Sequence, residues 1–188
     1  MKKRSEFRPV IKGVLFWVVF MLMYALQKLL PYIPVTLFVA VDESNFQHFK
    51  ASFFAYLFLS VIEFLIFRKR IVNKKSYCFA RLTATIFTPW IVFLTWYVIP
   101  AVYGRLPGNV LEIVYGNIIT LIVGILAVIL ERGFEQIVYN KPLIVTLLGL
   151  FAISIMLYMV LTFNLPWIDV FKEADWKEST NLLWRIYV

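Results

Sequence analysis

Five stretches of this chain are each apolar and long enough to cross a lipid bilayer as a helix. They cover, approximately, residues 10–30, 45–67, 79–102, 110–131 and 142–163. A hydrocarbon layer of roughly 30 Å takes about 20 helical residues to cross. Helices are expected throughout, because an open strand in lipid leaves its backbone groups without hydrogen bonds. The sequence therefore predicts an all-α membrane protein, with a fold that is a five-helix transmembrane bundle.

The composition argues against a water-soluble fold. Of the 188 residues, 62% are hydrophobic and 16% are charged, whereas a soluble domain has about 45–50% apolar and about 25% charged residues. No linker, repeat or low-complexity segment divides the chain, so we expect one integral membrane domain over residues 1–188. Its last part, 164–188, is too charged and too short to span again, and its tryptophans are typical of a tail at the outer interface.

The basic residues lie mainly on one side of the five spans. Thirteen of the nineteen precede span one, or lie between spans two and three or spans four and five: Lys2, Lys3, Arg4, Arg8, Lys12, Arg68, Lys69, Arg70, Lys74, Lys75, Arg81, Arg132 and Lys141. This positive-inside pattern predicts a cytoplasmic N-terminus, an external C-terminus and insertion in the plasma membrane. The net charge of +8 then indicates anionic lipid headgroups as partners, and no nucleic acid. The apolar run through Leu30 is longer than the core of a secretion signal, so we expect it to be retained as span one.

Span two carries a polar stripe along one side. At about 100° per residue, five polar side chains fall within one third of the helix surface: His48, Ser52, Tyr56, Ser60 and Glu63. We expect the stripe to face the bundle interior, because lipid would penalise it. His48 and Glu63 are separated by roughly 22 Å of helical rise and cannot share one compact site.

Glu63 is the most anomalous residue of the stripe, because a carboxylate inside a span needs a partner or a proton. Arg81 and Arg68 are the expected partners, since both follow on the cytoplasmic side. Two interpretations stay open. Glu63 is either a structural ion pair or protonated acid, or a group that handles a proton or a substrate.

A second polar group is expected at the outer end of the bundle. His48 lies there with Asp42, Glu43 and Glu112, and the expected neighbours are Trp96, Tyr103 and Tyr115. A histidine with two or three carboxylates could bind a divalent cation or do acid–base work, although the spacing matches no known ligand motif. A histidine that is merely hydrogen-bonded is the alternative. Ser44 and Gln47 also fit a capping box that starts the helix.

Spans three and four carry signals for helix packing. Pro89 should kink span three, with hydroxyls of nearby threonines bonding to the carbonyl of Thr85 that it leaves open. Gly116, Gly124 and Ala127 of span four are spaced to allow the close approach of another helix. Asn117 lies at the edge of the same face and is a candidate for binding.

The stretch "FVAVDESNFQHFKASFFAYLFLSVIEF", residues 38–64, resembles a family of small bacterial and archaeal membrane proteins described only as domain of unknown function 6512. That family has the signature F-x-P-V-N-E-S-x-W-E-H-x-K before its second helix, and the matching residues here are Val41, Glu43, Ser44, His48 and Lys50. Four positions depart from it: Ala40, Asp42, Phe46 and Gln47. Glu63 and the later "FNLPWIDVF" are also similar to the family. The resemblance implies a fold, a topology and a bacterial or archaeal source, but no activity.

Three functions compete on the sequence alone. The first is a protein that binds a lipid, a small amphiphile or a partner membrane subunit in a cleft between spans two, three and four. The second is a membrane-embedded enzyme that uses glutamate and histidine as acid and base on a lipid-like substrate, and the third is a transporter or its substrate-binding subunit. The sequence favours the first, because a polar stripe lies opposite a face of small residues, with aromatic residues at the outer rim. Nucleotide-binding and common hydrolase motifs are absent, and no cofactor is expected. The candidate binding residues are Glu43, His48, Ser52, Tyr56, Glu63, Glu112 and Asn117.

Overall fold

The computed structural model describes residues 7–30, 33–42, 44–98, 101–102, 104, 109–164 and 168, and within these ranges the chain is helical and contains no strand. The helices are α1 (Pro9–Leu29), α2 (Ile33–Thr36), α3 (Asn45–Phe67), α4 (Lys74–Val92), α5 (Asn109–Phe134) and α6 (Lys141–Phe163). A π-helical segment, Phe93–Val98, continues α4. Five of these helices are long and apolar enough to span a membrane, which confirms the five predicted spans.

The predicted spans differ from the helices chiefly at their ends. Span two agrees with α3, whereas α4 begins at Lys74 and not at residue 79. This earlier start is set by an N-cap: the Asn73 side chain accepts a hydrogen bond from the backbone N–H of Ser76 at 3.1 Å. Helix α5 continues to Phe134, three residues past the predicted end. A helix need not stop where its sequence ceases to be apolar.

The predicted capping box at the start of α3 is half correct. The Ser44 hydroxyl accepts from the backbone N–H of Gln47 at 3.4 Å, as expected for an N-cap. The return bond from Gln47 is wrong, since its side-chain oxygen accepts instead from the backbone N–H of Val41 at 3.3 Å. The backbone N–H of Ser44 donates to the Asp42 carboxylate at 2.8 Å. Asp42 therefore replaces Gln47 in the reciprocal half of the cap.

Helix α4 passes through Pro89 and widens into the π-helical segment one turn later. The expected bonding of threonine hydroxyls to the carbonyl of Thr85 is wrong. The Thr85 and Thr88 hydroxyls donate to the carbonyls of Arg81 and Ala84, at 2.8 and 2.7 Å. Each hydroxyl reaches the carbonyl four residues back in its own helix, which is the closest acceptor available to a threonine side chain in a helix.

Helices α1, α3, α4 and α5 form the packed part of the bundle. Helix α1 packs against α5 and α3, and α4 packs against both α3 and α5. Buried side chains from different helices, such as Phe16, Tyr56 and Val123, fill the space between them. Helix α6 packs mainly along α4, and Leu147 is its one buried side chain. The fifth span therefore lies outside the core.

The spanning helices alternate in direction, and most of the basic residues among the described ones lie at one end of the bundle. Helices α1, α4 and α6 begin at this end, and α3 and α5 end there. Exposed residues at or near it include Arg68, Lys69, Arg70, Lys74 and Lys75. We call it the basic end and the other the opposite end.

Glycines allow α1 and α5 to approach closely. A Cβ on Gly124 would lie 3.0 Å from the carbonyl oxygen of Gly13, and a Cβ on Gly13 would lie 3.1 Å from the backbone nitrogen of Ile125. The predicted packing role of Gly124 and Ala127 is confirmed, as Ala127 is also buried in the core. The partner glycine in α1 was not foreseen from the sequence.

Candidate functional site

Four charged side chains meet in the bundle interior near the basic end, one from each of four helices. They are Lys12 of α1, Glu63 of α3, Arg81 of α4 and Glu131 of α5, with exposed fractions between 0% and 3%. We call these four residues the charged cluster. Their formal charges sum to zero, which is the condition under which ionised groups are tolerated in a low-dielectric interior.

Each carboxylate of the charged cluster contacts both cations. The Lys12 ammonium lies 2.6 Å from Glu63 Oε2 and 2.6 Å from Glu131 Oε2. Arg81 Nε lies 3.3 Å from Glu63 Oε2, and its Nη2 lies 3.1 Å from Glu131 Oε1. The four groups therefore form a closed network that joins α1, α3, α4 and α5.

Several further groups contact the charged cluster. The backbone N–H of Phe7 donates to Glu63 Oε1 at 2.9 Å, and the Tyr56 hydroxyl donates to Glu131 Oε2 at 2.7 Å. The Arg81 guanidinium lies over the ring of Tyr77, 3.4 Å from its centre. Glu135 also pairs with Arg81, and its side chain is 32% exposed. Through Glu135 the cluster reaches the surface at the basic end.

The sequence identified part of this cluster. The predicted pairing of Glu63 with Arg81 is confirmed, whereas the other expected partner, Arg68, is exposed beyond the end of α3. Lys12 and Glu131 were not recognised as site residues. The basic residues of the predicted inner face include Lys12 and Arg81, but both side chains are buried in the bundle and so are not in contact with lipid headgroups.

A signal for the whole cluster does exist in the sequence. Lys12, Glu63 and Glu131 lie three, four and three residues from the ends of their helices at the basic end, and Arg81 lies seven residues from the start of α4. In adjacent antiparallel spans, such positions fall at similar depths. One charge per helix, two of each sign, at one depth is a pattern that a comparison of the spans would reveal.

A cleft of about 180 Å³ lies next to Arg81, between α3 and α4. Its wall is formed by Leu57, Ser60, Val61, Phe64, Tyr77, Cys78, Arg81, Leu82 and Thr85. Val61 and Cys78 are exposed, so the cleft opens on the outside of the bundle. The Ser60 hydroxyl is buried and has no hydrogen-bond partner within the described part of the chain. The Tyr77 hydroxyl is likewise buried without a hydrogen-bond partner among the described residues, so the cleft combines a mainly apolar wall with two unsatisfied hydroxyls.

His48 is buried at the opposite end, among aromatic rings. Its Nδ1 shares a short hydrogen bond with the Tyr24 hydroxyl, and its ring centre lies 4.4 Å from that of Trp96. The expected neighbour Trp96 is confirmed. Among the described residues no group of three or more histidine, cysteine, aspartate and glutamate side chains could hold a metal ion. Glu43 and Tyr103 lie outside those residues, and Glu112 is half-buried.

Lys50 is fully buried near the start of α3. Its ammonium donates to the carbonyl of Thr36 and to the Thr162 hydroxyl, both at 3.0 Å. These two acceptors belong to α2 and to the end of α6. Lys50 therefore joins both elements to α3, which is a structural role.

The other predicted binding residues do not form one site. Tyr56 and Glu63 lie in or beside the charged cluster. The Ser52 hydroxyl donates to the carbonyl of Phe49 in its own helix at 2.8 Å, and Ser52 does not line the cleft. Asn117 accepts a hydrogen bond from Trp17 at 3.0 Å and joins α5 to α1. The polar stripe of α3 does face the interior, as predicted, but its members serve different places.

Comparison with known proteins adds no relative, since no family model, no curated protein and no solved structure matches this chain. The fold and the site therefore define the protein by themselves. It is a multi-pass helical membrane protein with a buried, charge-balanced cluster beside an open cleft.

Proposed function

We propose that the protein binds a lipid or other small amphiphile in the cleft between α3 and α4. The observation that carries this proposal is the buried, unsatisfied Ser60 hydroxyl in a cleft that opens on the apolar outside of the bundle. Ligand sites typically combine an apolar wall with a few placed polar groups. An amphiphile has both parts, and it can enter from the membrane without crossing water.

We further propose that the basic end is cytoplasmic, with the N-terminus inside and the C-terminus outside, in the plasma membrane of a bacterium or archaeon. The support is the positive-inside rule together with the exposed basic residues near that end, such as Lys69 and Arg70. Anionic headgroups are their natural partners. The cleft residues, which lie within 57–64 of α3 and 77–85 of α4, then belong to the inner half of the membrane. The resemblance to domain of unknown function 6512 supports the same fold and topology.

A binding role fits the site better than acid–base catalysis does. Glu63 accepts hydrogen bonds from Lys12, Arg81 and the backbone of Phe7, so its oxygens are already occupied. His48 lies at the opposite end, roughly 22 Å of helical rise away. The two groups of the enzyme alternative therefore cannot act on the same atoms of a substrate.

The test uses two neighbouring residues of α3 with equal exposure. Val61 lines the cleft and is 48% exposed, whereas Ile62 does not line it and is 47% exposed. The protein is placed in lipid nanodiscs with hexadecanol or hexadecanoate that carries a mid-chain diazirine. On illumination we expect saturable labelling of α3 and α4 at the cleft. Val61→Trp should fill the cleft and abolish this labelling, and Ile62→Trp should leave it unchanged.

Two results would contradict the proposal. One is labelling that rises linearly with both probes and spreads over all lipid-exposed helices, because this is the behaviour of bulk membrane contact. The other is an equal loss of labelling in Val61→Trp and Ile62→Trp, because the effect would then not depend on the cleft. Size-exclusion chromatography of each variant establishes that the fold is intact.

A further inference from the structure

We infer that the amphiphile of the cleft is neutral and carries a hydroxyl, and that the cleft selects it over the carboxylate- or phosphate-bearing lipids of the same membrane. The inference rests on the proposed function, whose site it deepens by naming a ligand class. Two features of the wall lead to it: the state of the Ser60 hydroxyl, and the balance of charges around Arg81.

Ser60 differs from the other small hydroxyl groups of α3 and α4. The hydroxyls of Ser52 and Thr85 donate to carbonyls in their own helices, at 2.8 Å each. The Ser60 hydroxyl is equally buried but has no partner among the described residues, and it belongs to the cleft wall. A buried hydroxyl that lacks a partner destabilises the protein. A ligand hydroxyl can both donate to it and accept from it, so it would remove this cost.

Among the described residues that form the cleft wall, Arg81 is the one cation, but its charge is already matched. It pairs with Glu63, Glu131 and Glu135. With Lys12 it supplies the positive charges of the charged cluster, whose four buried charges balance, and Glu135 adds a partly exposed carboxylate beside it. The guanidinium face is also covered by the Tyr77 ring.

This charge balance disfavours an anionic headgroup. A carboxylate or phosphate in the cleft would bring an unbalanced negative charge close to three carboxylates, where lipid and protein screen poorly. A neutral hydroxyl adds no charge. The remaining wall residues near the mouth, Leu57, Val61, Phe64 and Leu82, are apolar and suit a hydrocarbon chain. Ser60 therefore recognises the hydroxyl, and the network around Arg81 excludes the anion.

The first measurement compares two ligands of equal chain length. Unlabelled hexadecanol and hexadecanoate compete against the diazirine-bearing hexadecanol in nanodiscs of zwitterionic lipid, and their amounts are expressed as mole fractions in the membrane. We expect hexadecanol to displace the probe at a mole fraction about tenfold lower than hexadecanoate does, since only hexadecanol can both donate to and accept from the Ser60 hydroxyl, and only hexadecanoate carries a charge that the carboxylates repel.

Two variants assign the selectivity to its two causes. Ser60→Ala should weaken the binding of hexadecanol about fivefold and leave that of hexadecanoate nearly unchanged, because the carboxylates around Arg81 keep the anion away from this hydroxyl. Ser52→Ala is the matched control on the same helix and should change neither. Glu135→Gln removes one of the negative charges beside Arg81 at a partly exposed position, so it should strengthen the binding of hexadecanoate severalfold and leave that of hexadecanol unchanged.

The outcomes distinguish this inference from the function on which it rests. Absence of saturable labelling with either probe overturns the proposed function itself. Saturable labelling that hexadecanoate displaces as well as hexadecanol does would leave the proposed function standing and overturn the inference. A hexadecanol preference that is as large in Ser60→Ala as in the parent would also overturn it, since the hydroxyl would then have no part in the selection.

Discussion

At the residue scale, the protein depends on how it keeps four ionised side chains inside a membrane-spanning bundle. Lys12 donates to both glutamates of the charged cluster, at 2.6 Å each. The loss of one member leaves the others with an excess charge in a low-dielectric interior, and that penalty exceeds the value of the contact that is lost. The cluster should therefore respond to substitutions as a unit.

Glu63→Gln is predicted to destabilise the protein by about 3 kcal/mol, because Lys12 and Arg81 would then share the one remaining carboxylate of the cluster. Lys12→Met is predicted to destabilise it similarly, for the opposite charge imbalance. The double substitution restores neutrality among the four positions, so its cost should be clearly smaller than the sum of the two single costs. Unfolding in mixed micelles with increasing denaturing detergent gives the three free energies. Additive costs would show that the charges do not act together.

At the element scale, helix contacts are set by small residues and by caps. Helices α1 and α5 approach closely because Gly13 and Gly124 carry no side chain where their backbones meet. Lys50 secures α2 and α6 to the start of α3 from one buried position. Helix α6 lies at the edge of the bundle, so it contributes less to the core than the other spans do.

A methyl group at Gly124 is predicted to force α1 and α5 apart. Its Cβ would lie 2.7 Å from Phe16 and 3.0 Å from the backbone oxygen of Gly13, which cannot yield without a shift of the helix. We expect Gly124→Ala to lower the free energy of unfolding by about 1–3 kcal/mol. Gly149→Ala on α6 is the control, because its Cβ would meet nothing within 4 Å. That variant should be as stable as the parent or slightly more so, as alanine favours a helix.

At the scale of the whole molecule, the distribution of exposed basic residues predicts how the bundle is inserted. Val72 follows α3 at the basic end, and Val102 lies between the π-helical segment and α5 at the opposite end; both are well exposed. With the single Cys78 replaced by serine, we expect a membrane-impermeant thiol reagent to modify Val102→Cys in intact cells, and Val72→Cys only after lysis. Single cysteines at Ser5 and Thr180 should likewise react from opposite sides. Modification of both from one side would contradict a five-span topology.

The sequence by itself determined the number of spans and their approximate limits. This information is local, because each span depends on about 20 consecutive residues being apolar enough for lipid. The inward orientation of the polar stripe of α3 followed in the same way from its own spacing. The prediction missed the ends of α4 and α5, where the Asn73 cap and continued helix formation decide the limits.

Only the tertiary structure decided which charges meet and where a cleft opens. Lys12 is 51 residues from Glu63 and 119 residues from Glu131 along the chain, so no local pattern pairs them. The partner of each group depends on which helices are neighbours and how they are rotated. Ser52 and Ser60 belong to the same polar stripe in the sequence. The Ser52 hydroxyl nevertheless bonds to its own helix, whereas Ser60 lines a cleft. Whether a segment spans the membrane depends on the apolarity of that segment alone, whereas a site depends on how several helices pack together.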